Sequence, residues 1–199
     1  IVRLVGSEMC IRDSAYPLTV EFLQDKLEIG FFSVLWIAIL ISMMLATEDI
    51  FSEDYNDGSL EQTLIKNPSF SIIIVTKIFT YWLLIGLPIS ILSFVFSLGT
   101  TEDLSLSLSI LPLAIISSYI FLNLFVLGNA LSLNKGSVLG ALVTMPLALP
   151  VLIVLGKGLI AIQLDINYQS FIFLLLGSLS IIIVAIPIVV SYVIKAHLE

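Results

Sequence analysis

The side chains best suited to chemistry are concentrated in one segment, Glu48–Ser69, which we call the acidic loop. Six carboxylates stand there beside a single base, Lys66, and no histidine or cysteine accompanies them. The chain has one histidine, His197, and one cysteine, Cys10, so a His/Cys metal cluster and an internal disulfide are both excluded. The acidic loop is therefore a candidate contact surface rather than a His/Cys metal site.

A short helix is predicted inside the acidic loop. Asp57-Gly58 is typical of a turn. Ser59, with Gln62 three residues later, can form a capping box at a helix start. The predicted helix covers Leu60–Lys66, and Asn67-Pro68 ends it because the residue before a proline avoids helical geometry.

One side of the predicted helix is apolar. Leu60 and Leu64 lie one turn apart on one face, and Glu61 and Ile65 share the neighbouring face. Permeases driven by a separate ATPase use such a short surface helix as a ball that sits in a socket on the ATPase. The alternative is a solvated loop that merely joins two membrane spans, although a linker needs less organisation than this.

The sequence contains no machinery of its own for hydrolysing ATP. It lacks the GxxxxGK[ST] phosphate loop, so any ATP must be bound and hydrolysed by a partner subunit. It also lacks an HExxH motif, a CxxCH haem-attachment motif and an evident Ser/His/Asp set. These absences predict a non-catalytic subunit and weigh against a membrane-embedded enzyme.

Few side chains in the apolar segments could carry charge or bind a cofactor. Lys77 lies about one turn into its segment and is predicted to extend its stem to the nearer surface. Proton relays and ion-coupled carriers usually need intramembrane Asp, Glu or His, so their absence weighs against that class. Met43, Met44 and Met145 could ligate haem, but packing is the expected role of methionine here.

Composition identifies the chain as an integral membrane protein. Hydrophobic residues make up 59% of its 199 residues and charged residues 12%, with a mean hydropathy of +1.15. Soluble domains are about 45–50% apolar and about 25% charged, and a soluble fold of this size cannot bury so much apolar surface. The lipid bilayer is therefore the expected environment of the apolar segments. The net charge of −7 argues against nucleic acid as a partner.

Five segments are long and apolar enough to cross a bilayer, which takes about 20 residues of helix. A lipid-exposed span must satisfy its backbone hydrogen bonds internally, so the predicted fold class is an all-α bundle of transmembrane helices. Prolines inside the segments are expected to produce kinked packing. The predicted spans are residues 30–47, 71–98, 105–128, 137–155 and 170–194, with a cytoplasmic coupling loop at residues 48–69.

Lysine positions predict the orientation of the chain. If the acidic loop is cytoplasmic, four lysines lie on or near its side and two lie outside, and the C-terminus is cytoplasmic. The four are Lys66, Lys77, Lys135 and Lys195, and the two are Lys26 and Lys157.

The first residues differ from those that follow. Ile1–Ser14 is too short and too polar to span a bilayer, and it lacks the ordered regions of a signal peptide. We expect residues 1–14 to be a non-native leader and residues 15–199 to form the transmembrane domain. A further span upstream, ending near Tyr16-Pro17-Leu18, would give an even number of helices.

Several strings in and around the acidic loop match one known pattern. They are Leu45-Ala46-Thr47-Glu48, Phe51, Glu53-Asp54 and Asp57-Gly58-Ser59-Leu60-Glu61-Gln62, supported by Gly86-Leu87-Pro88, Leu133-Asn134-Lys135-Gly136 and Pro146–Val151. Through them the chain resembles the haem exporter protein B family, the permease subunit of an ABC-type transporter for cytochrome c maturation. The resemblance runs from about Ala15 to the C-terminus and covers five of the six helices of that family.

The resemblance implies a multi-pass subunit of the bacterial inner membrane that pairs with a cytoplasmic ABC ATPase. Its other implied partners are a haem-handling membrane subunit and a periplasmic haem chaperone, with haem as possible cargo and ATP bound by the partner. It leaves open haem export or release of the haem-loaded chaperone, and the lack of an evident haem ligand favours release. The implied ATPase-coupling residues are Glu48, Asp54, Asp57, Gly58, Ser59, Leu60, Glu61, Gln62 and Leu64.

Two features depart from the family pattern. The residue after Glu48 is often basic in the family and is Asp49 here, and the leader matches nothing in the family. The alternative function is a self-contained carrier or channel for a small solute, which would need inverted repeats with broken helices around a site at the membrane midplane.

Overall fold

The long apolar segments form helices because a backbone surrounded by hydrocarbon must satisfy its own hydrogen bonds. The computed structural model describes residues 24–48, 50–66, 70–101, 104–133, 137–164 and 167–198. Over these residues the chain is an all-α bundle, as predicted. Its helices are α1 (Gln24–Ala46), α2 (Ser52–Asn56), α3 (Ser59–Lys66), α4 (Phe70–Tyr81), α5 (Leu87–Thr101), α6 (Leu104–Ser132), α7 (Ser137–Gln163) and α8 (Gln169–Leu198), with a π-helical turn, Trp82–Gly86, between α4 and α5.

Most of the predicted spans correspond to helices long enough to cross a bilayer. In the described part of the chain, four such stretches are Phe70–Gly99, Leu104–Ser132, Leu142–Ile162 and Gln169–His197. The predicted first span corresponds to α1, whose 23 residues extend over about 34 Å. The apolar stretch identified in α1, Val34–Ala46, is shorter. The predicted leader and the further span expected to end near Leu18 lie outside the described residues.

The largest difference from the predicted boundaries is in α7. The sequence predicts a span that ends at residue 155, but the helix continues to Gln163. Lys157 therefore lies inside a membrane-length helix, and its side chain is exposed. A lysine near the end of a span can extend its stem toward the surface, so this charge does not end the helix.

α6 forms the centre of the bundle and packs against α1, α5, α7 and α8. In its most apolar stretch 67% of the residues are buried, compared with 17–28% in the other three membrane-length helices. Those three expose many large apolar side chains, among them Leu84, Leu142 and Phe173. Helices that are apolar on every side are typical of a membrane protein, in which lipid covers the outward faces.

Hydroxyl groups join α5 to α6 inside the bundle. The Oγ atoms of Ser90 and Ser118 lie 3.1 Å apart, and Ser118 also accepts a hydrogen bond of 3.1 Å from the indole of Trp82. Ser97 and Ser107 form a second pair with 2.9 Å between their Oγ atoms. Because polar side chains that hydrogen-bond across helices stabilise packing in a bilayer, these contacts fix α5 against α6.

The π-helical turn ends at Gly86, two residues before Pro88, within the membrane-length stretch Phe70–Gly99. Proline has no backbone N–H, so it cannot donate to the carbonyl of Leu84 four residues earlier. At Gly86, an added Cβ would lie 2.5 Å from Cδ1 of Trp82, so the indole occupies the space of a side chain. Single π-helical turns occur frequently at functional sites.

Two glycines allow α6 and α7 to touch. A Cβ added at Gly128 would lie 2.5 Å from Cγ2 of Thr144 and 2.7 Å from the carbonyl oxygen of Gly140. A Cβ added at Gly140 would lie 2.7 Å from the carbonyl carbon of Gly128. Small residues at a crossing are the usual device for close approach of membrane helices, and this crossing sets the position of the end of α6.

Candidate functional site

The acidic loop begins where α1 ends, and it is held there by α6. The Thr47 hydroxyl donates to the carbonyls of Met43 and Met44 at 3.0 and 3.1 Å, which closes the last turn of α1. The side-chain amide of Asn129 in α6 donates to the carbonyl of Glu48. Asn129 is buried, and its Oδ1 has no hydrogen-bond partner among the described residues. This bond is the first anchor of the acidic loop.

A second anchor joins the loop to α4. Ile50 and Phe51 are each only 1% exposed and belong to the hydrophobic core. In α2, which follows directly, the carboxylate of Asp54 forms an ion pair with the ammonium of Lys77 in α4. The same ammonium lies 5.3 Å from the ring centroid of Phe51, within the range of a cation–π interaction. The side chain of Lys77 therefore reaches the acidic loop, where its ammonium contacts the Asp54 carboxylate and the Phe51 ring.

The start of α3 differs from the predicted capping box. Gly58 has a φ of +71°, a left-handed conformation that favours glycine. The amide of Gln62 donates to the carbonyl of Gly58 at 3.3 Å. The Ser59 hydroxyl donates to the carbonyl of Asp54 at 3.1 Å. Gly58 thus precedes the helix, and Ser59 ties α3 back to α2.

The apolar face of α3 is turned toward the bundle. Leu60 is 5% exposed and belongs to the core, and Leu64 is half-buried and packs against it. The resemblance implies contact of both leucines with a partner, but in this structure their contacts are internal. The sequence pattern alone could not show whether the two leucines face the bundle or a partner, because either face of a docked helix can carry apolar residues.

The outward side of the acidic loop combines carboxylates with one large apolar group. Ile65 is 83% exposed, more than any other exposed large hydrophobic residue in the described chain. Among the described residues of the acidic loop, four carboxylates and one base are exposed. The exposed polar residues there are Glu48, Glu53, Asp57, Glu61, Gln62 and Lys66, together with Asn56.

The predicted site residues therefore divide into two groups. The exposed group is available to a partner and consists of Glu48, Asp57, Gly58, Glu61 and Gln62. The inward group holds the loop in place and consists of Asp54, Ser59, Leu60 and Leu64. Sequence reasoning missed the contacts of Lys77 with Asp54 and Phe51 of the loop, and it missed Asn129 as an anchor. A signal was available for Lys77, since a charge within a span needs a partner.

Replacement of Asn129 by leucine is expected to loosen the acidic loop. The change removes the donor to the Glu48 carbonyl, and loss of such a bond costs about 1 kcal/mol. We expect faster amide hydrogen exchange over residues 47–66. Asn123→Leu is the matched control, since among the described residues the Asn123 amide bonds within α6, where it donates to the Tyr119 carbonyl at 2.8 Å. Equal exchange rates in the two variants would show that Asn129 does not hold the loop.

Possible ligands for a metal or for haem are sparse in the described chain. No group of three or more His, Cys, Asp or Glu side chains is close enough there to hold a metal ion. Met43 is fully buried among apolar side chains, and Met145 is 43% exposed on α7. The burial of Met43 in the core agrees with a packing role for this residue.

Comparison with known proteins identifies a matching family and several relatives that share one name. The family profile described as CcmB protein matches residues 18–198. Heme exporter protein B of Haemophilus influenzae is 31% identical over 137 residues, which cover 68% of this chain and 62% of that protein. Heme exporter protein B of Pseudomonas aeruginosa is 30% identical over 156 residues, which cover 75% and 68%. The protein of the same name from Escherichia coli K12 is 38% identical over 60 residues, which cover 30% and 27%.

The matched part of the chain spans less than two thirds of the Haemophilus influenzae relative. The family profile nevertheless covers all of the described helices, from α1 to α8. It confirms the resemblance carried by the strings around the acidic loop. This chain belongs to the CcmB family.

Proposed function

We propose that this chain is the membrane-spanning permease subunit of an ABC-type transporter for cytochrome c maturation. It couples ATP hydrolysis by a separate cytoplasmic ATPase to haem export or to release of a haem-loaded periplasmic chaperone. Family membership and the name heme exporter protein B of the relatives support this setting. The observation that carries the coupling role is α3, a two-turn helix whose apolar face is docked on the bundle while Glu61 and Ile65 remain exposed.

The exposed side of the acidic loop predicts the chemistry of the ATPase surface that receives it. An isolated apolar side chain as exposed as Ile65 is stabilised by an apolar pocket, and the surrounding carboxylates favour a basic rim around that pocket. Glu61 lies one turn before Ile65 on the same face of α3. We therefore place Ile65 at the centre of the contact and Glu61 at its edge.

The orientation proposed for the chain puts the acidic loop and the C-terminus in the cytoplasm, with the protein in the inner membrane. The bond between Asn129 and Glu48 brings the ends of α1 and α6 to the same side as the acidic loop. Successive spans alternate in direction, so the end of α8, with Lys195 exposed, lies on this side too. Excess lysine on one side marks the cytoplasmic face.

The remaining proposed partners are a haem-handling membrane subunit and a periplasmic haem chaperone. Release of the chaperone requires this chain to transmit movement and does not require it to bind haem. Transport of haem would require a haem ligand in this chain. Among the described residues, the buried polar side chains are hydroxyls and amides of Ser, Thr and Asn, which are not the usual axial ligands of haem. We therefore favour coupling over direct haem ligation.

Charge reversal at Glu61 tests the coupling role. In Glu61→Lys we expect recovery of the ABC ATPase of the same transporter with the tagged chain to fall about 5- to 30-fold, as expected for 1–2 kcal/mol at the edge of an interface. Membrane insertion should be unchanged, because Glu61 is exposed and the inward face of α3 is intact. The measurement is quantitative co-purification in mild detergent.

Lys157→Glu is the matched control for this experiment. Lys157 is also exposed, but it lies 17 residues after Gly140 in α7, about 25 Å along the helix from the α6–α7 crossing. We expect its ATPase recovery to equal that of the wild type. Full recovery with Glu61→Lys, or activity of the purified chain alone without ATP, would reject the proposal and favour a self-contained carrier or channel.

A further inference from the structure

α2 and α4 are joined by an ion pair, which a simple connection between two spans does not require. Lys77 lies seven residues after the start of α4, about 10 Å along the helix axis. Its side chain is 24% exposed and that of its partner Asp54 is 43% exposed, so the ion pair is partly shielded from water. Water and salt screen a partly shielded pair less than a pair at an open surface.

Lys77 contacts two consecutive parts of the acidic loop at once. Its ammonium binds the Asp54 carboxylate in α2, and it lies 5.3 Å from the ring centroid of Phe51, the residue directly before α2. Phe51 is 1% exposed and cannot rotate away without leaving the core. The loop is thus fixed to α4 in both position and orientation.

Asp54 is also hydrogen-bonded to α3. Its backbone carbonyl accepts the hydroxyl of Ser59, the first residue of α3, at 3.1 Å. Asp54 therefore accepts two hydrogen bonds, one from Ser59 at its backbone carbonyl and one from Lys77 at its carboxylate. Five residues after Lys77 the π-helical turn begins at Trp82, whose indole donates to Ser118 in α6. The membrane-length stretch Phe70–Gly99 thus carries the contact with α2 near its start and a contact with α6 further inside.

We propose that Lys77 and Asp54 are positioning residues that make α2, α3 and α4 move as one body. The inference rests on the proposed coupling function, since α3 is where the ATPase would dock. A displacement of α3 then reaches the π-helical turn without being lost in a flexible loop. Neither residue needs to contact the ATPase, and this removes Asp54 from the contact surface that the family resemblance implies.

The test compares Lys77→Met and Asp54→Asn, singly and together, in the complete transporter. We expect cytochrome c maturation to fall at least about tenfold in each variant, while ATPase co-purification and ATP hydrolysis remain at wild-type levels. The double variant should be no worse than the more impaired single variant, because both changes break the same interaction. Lys77→Arg, which keeps the positive charge, should retain most of the maturation activity.

The matched control is Thr80→Val, one turn after Lys77 on α4 and exposed. Its hydroxyl donates only to the Thr76 carbonyl of its own helix, at 2.8 Å, so maturation should be unchanged. If Lys77→Met fails to accumulate in the membrane, Asp54→Asn alone decides the result, because it keeps the lysine and the shape of its partner. Wild-type maturation in the decisive variant, or losses that multiply in the double variant, would overturn the inference. Failure of the wild-type chain to recover an ATPase would instead reject the proposed function.

Discussion

Gly140→Ala is expected to lower the free energy of unfolding by about 1–3 kcal/mol, the usual cost of inserting a methyl group into a filled contact. The new Cβ would lie 2.7 Å from the carbonyl carbon of Gly128 and 2.8 Å from Oγ of Ser132. The nearest atoms are backbone atoms of α6, which cannot rotate aside as the end of a flexible side chain could. α6 and α7 must therefore separate, and α6 is the helix that contacts most of the others.

Gly156→Ala on the same helix is the matched control. A Cβ there meets nothing within 4 Å, so only the gain in helix propensity remains, up to about 1 kcal/mol in favour of the folded state. The two substitutions are chemically identical, and the structure predicts opposite signs for them. Both variants are heated in the same detergent. Size-exclusion chromatography of the fraction that stays soluble then gives the midpoint of thermal unfolding for each. A Gly140→Ala midpoint at or above that of Gly156→Ala would contradict the close crossing.

The α6–α7 crossing also matters for the candidate site. Gly128 immediately precedes Asn129, whose amide holds the carbonyl of Glu48. A shift of α6 at the crossing would move this anchor away from the end of α1. Gly140→Ala should therefore weaken the docking of the acidic loop as well as the bundle, which links stability of the spans to geometry of the contact surface.

Composition predicted the fold class and the approximate spans, because nothing but a membrane bundle can accommodate so many apolar residues. It could not predict which side of each span faces the core. Leu113 is fully buried in α6 whereas Leu142 in α7 is 71% exposed, yet both lie in continuous apolar sequence. In a bilayer the outward face is as apolar as the inward one, so the periodicity that marks burial in soluble helices is lost.

The site was predictable where the signal is local and not where it depends on distant residues. The turn at Gly58 and the short helix after it follow from neighbouring residues, and both are confirmed, the helix over Ser59–Lys66. The ion pair of Asp54 and Lys77 joins residues 23 positions apart, and the bond from Asn129 to Glu48 joins residues 81 positions apart. Neither spacing has a sequence signature, since each depends on how the spans pack.

Phe51→Ala is expected to release the acidic loop from the bundle while the spans stay folded. Phe51 is among the largest fully buried side chains, and truncation of a buried phenylalanine costs about 3–5 kcal/mol. The cost falls mainly on the loop, because the crossing of α6 and α7 and the serine contacts of α5 with α6 do not involve Phe51. Lys77 also loses the ring that lies beside its ammonium.

Amide hydrogen exchange separates this local effect from global unfolding. In Phe51→Ala we expect exchange over residues 50–66 to rise by about a hundredfold or more, the factor that 3 kcal/mol represents, while α6 keeps its protection. Phe173→Ala is the matched control, since Phe173 is 69% exposed on α8 and its truncation leaves no cavity. Equal exchange in the loop of both variants would mean that Phe51 does not anchor it. An equal rise in α6 would mean that the loop and the bundle unfold together, so that α3 could not act as a separate docking element held in place by this residue.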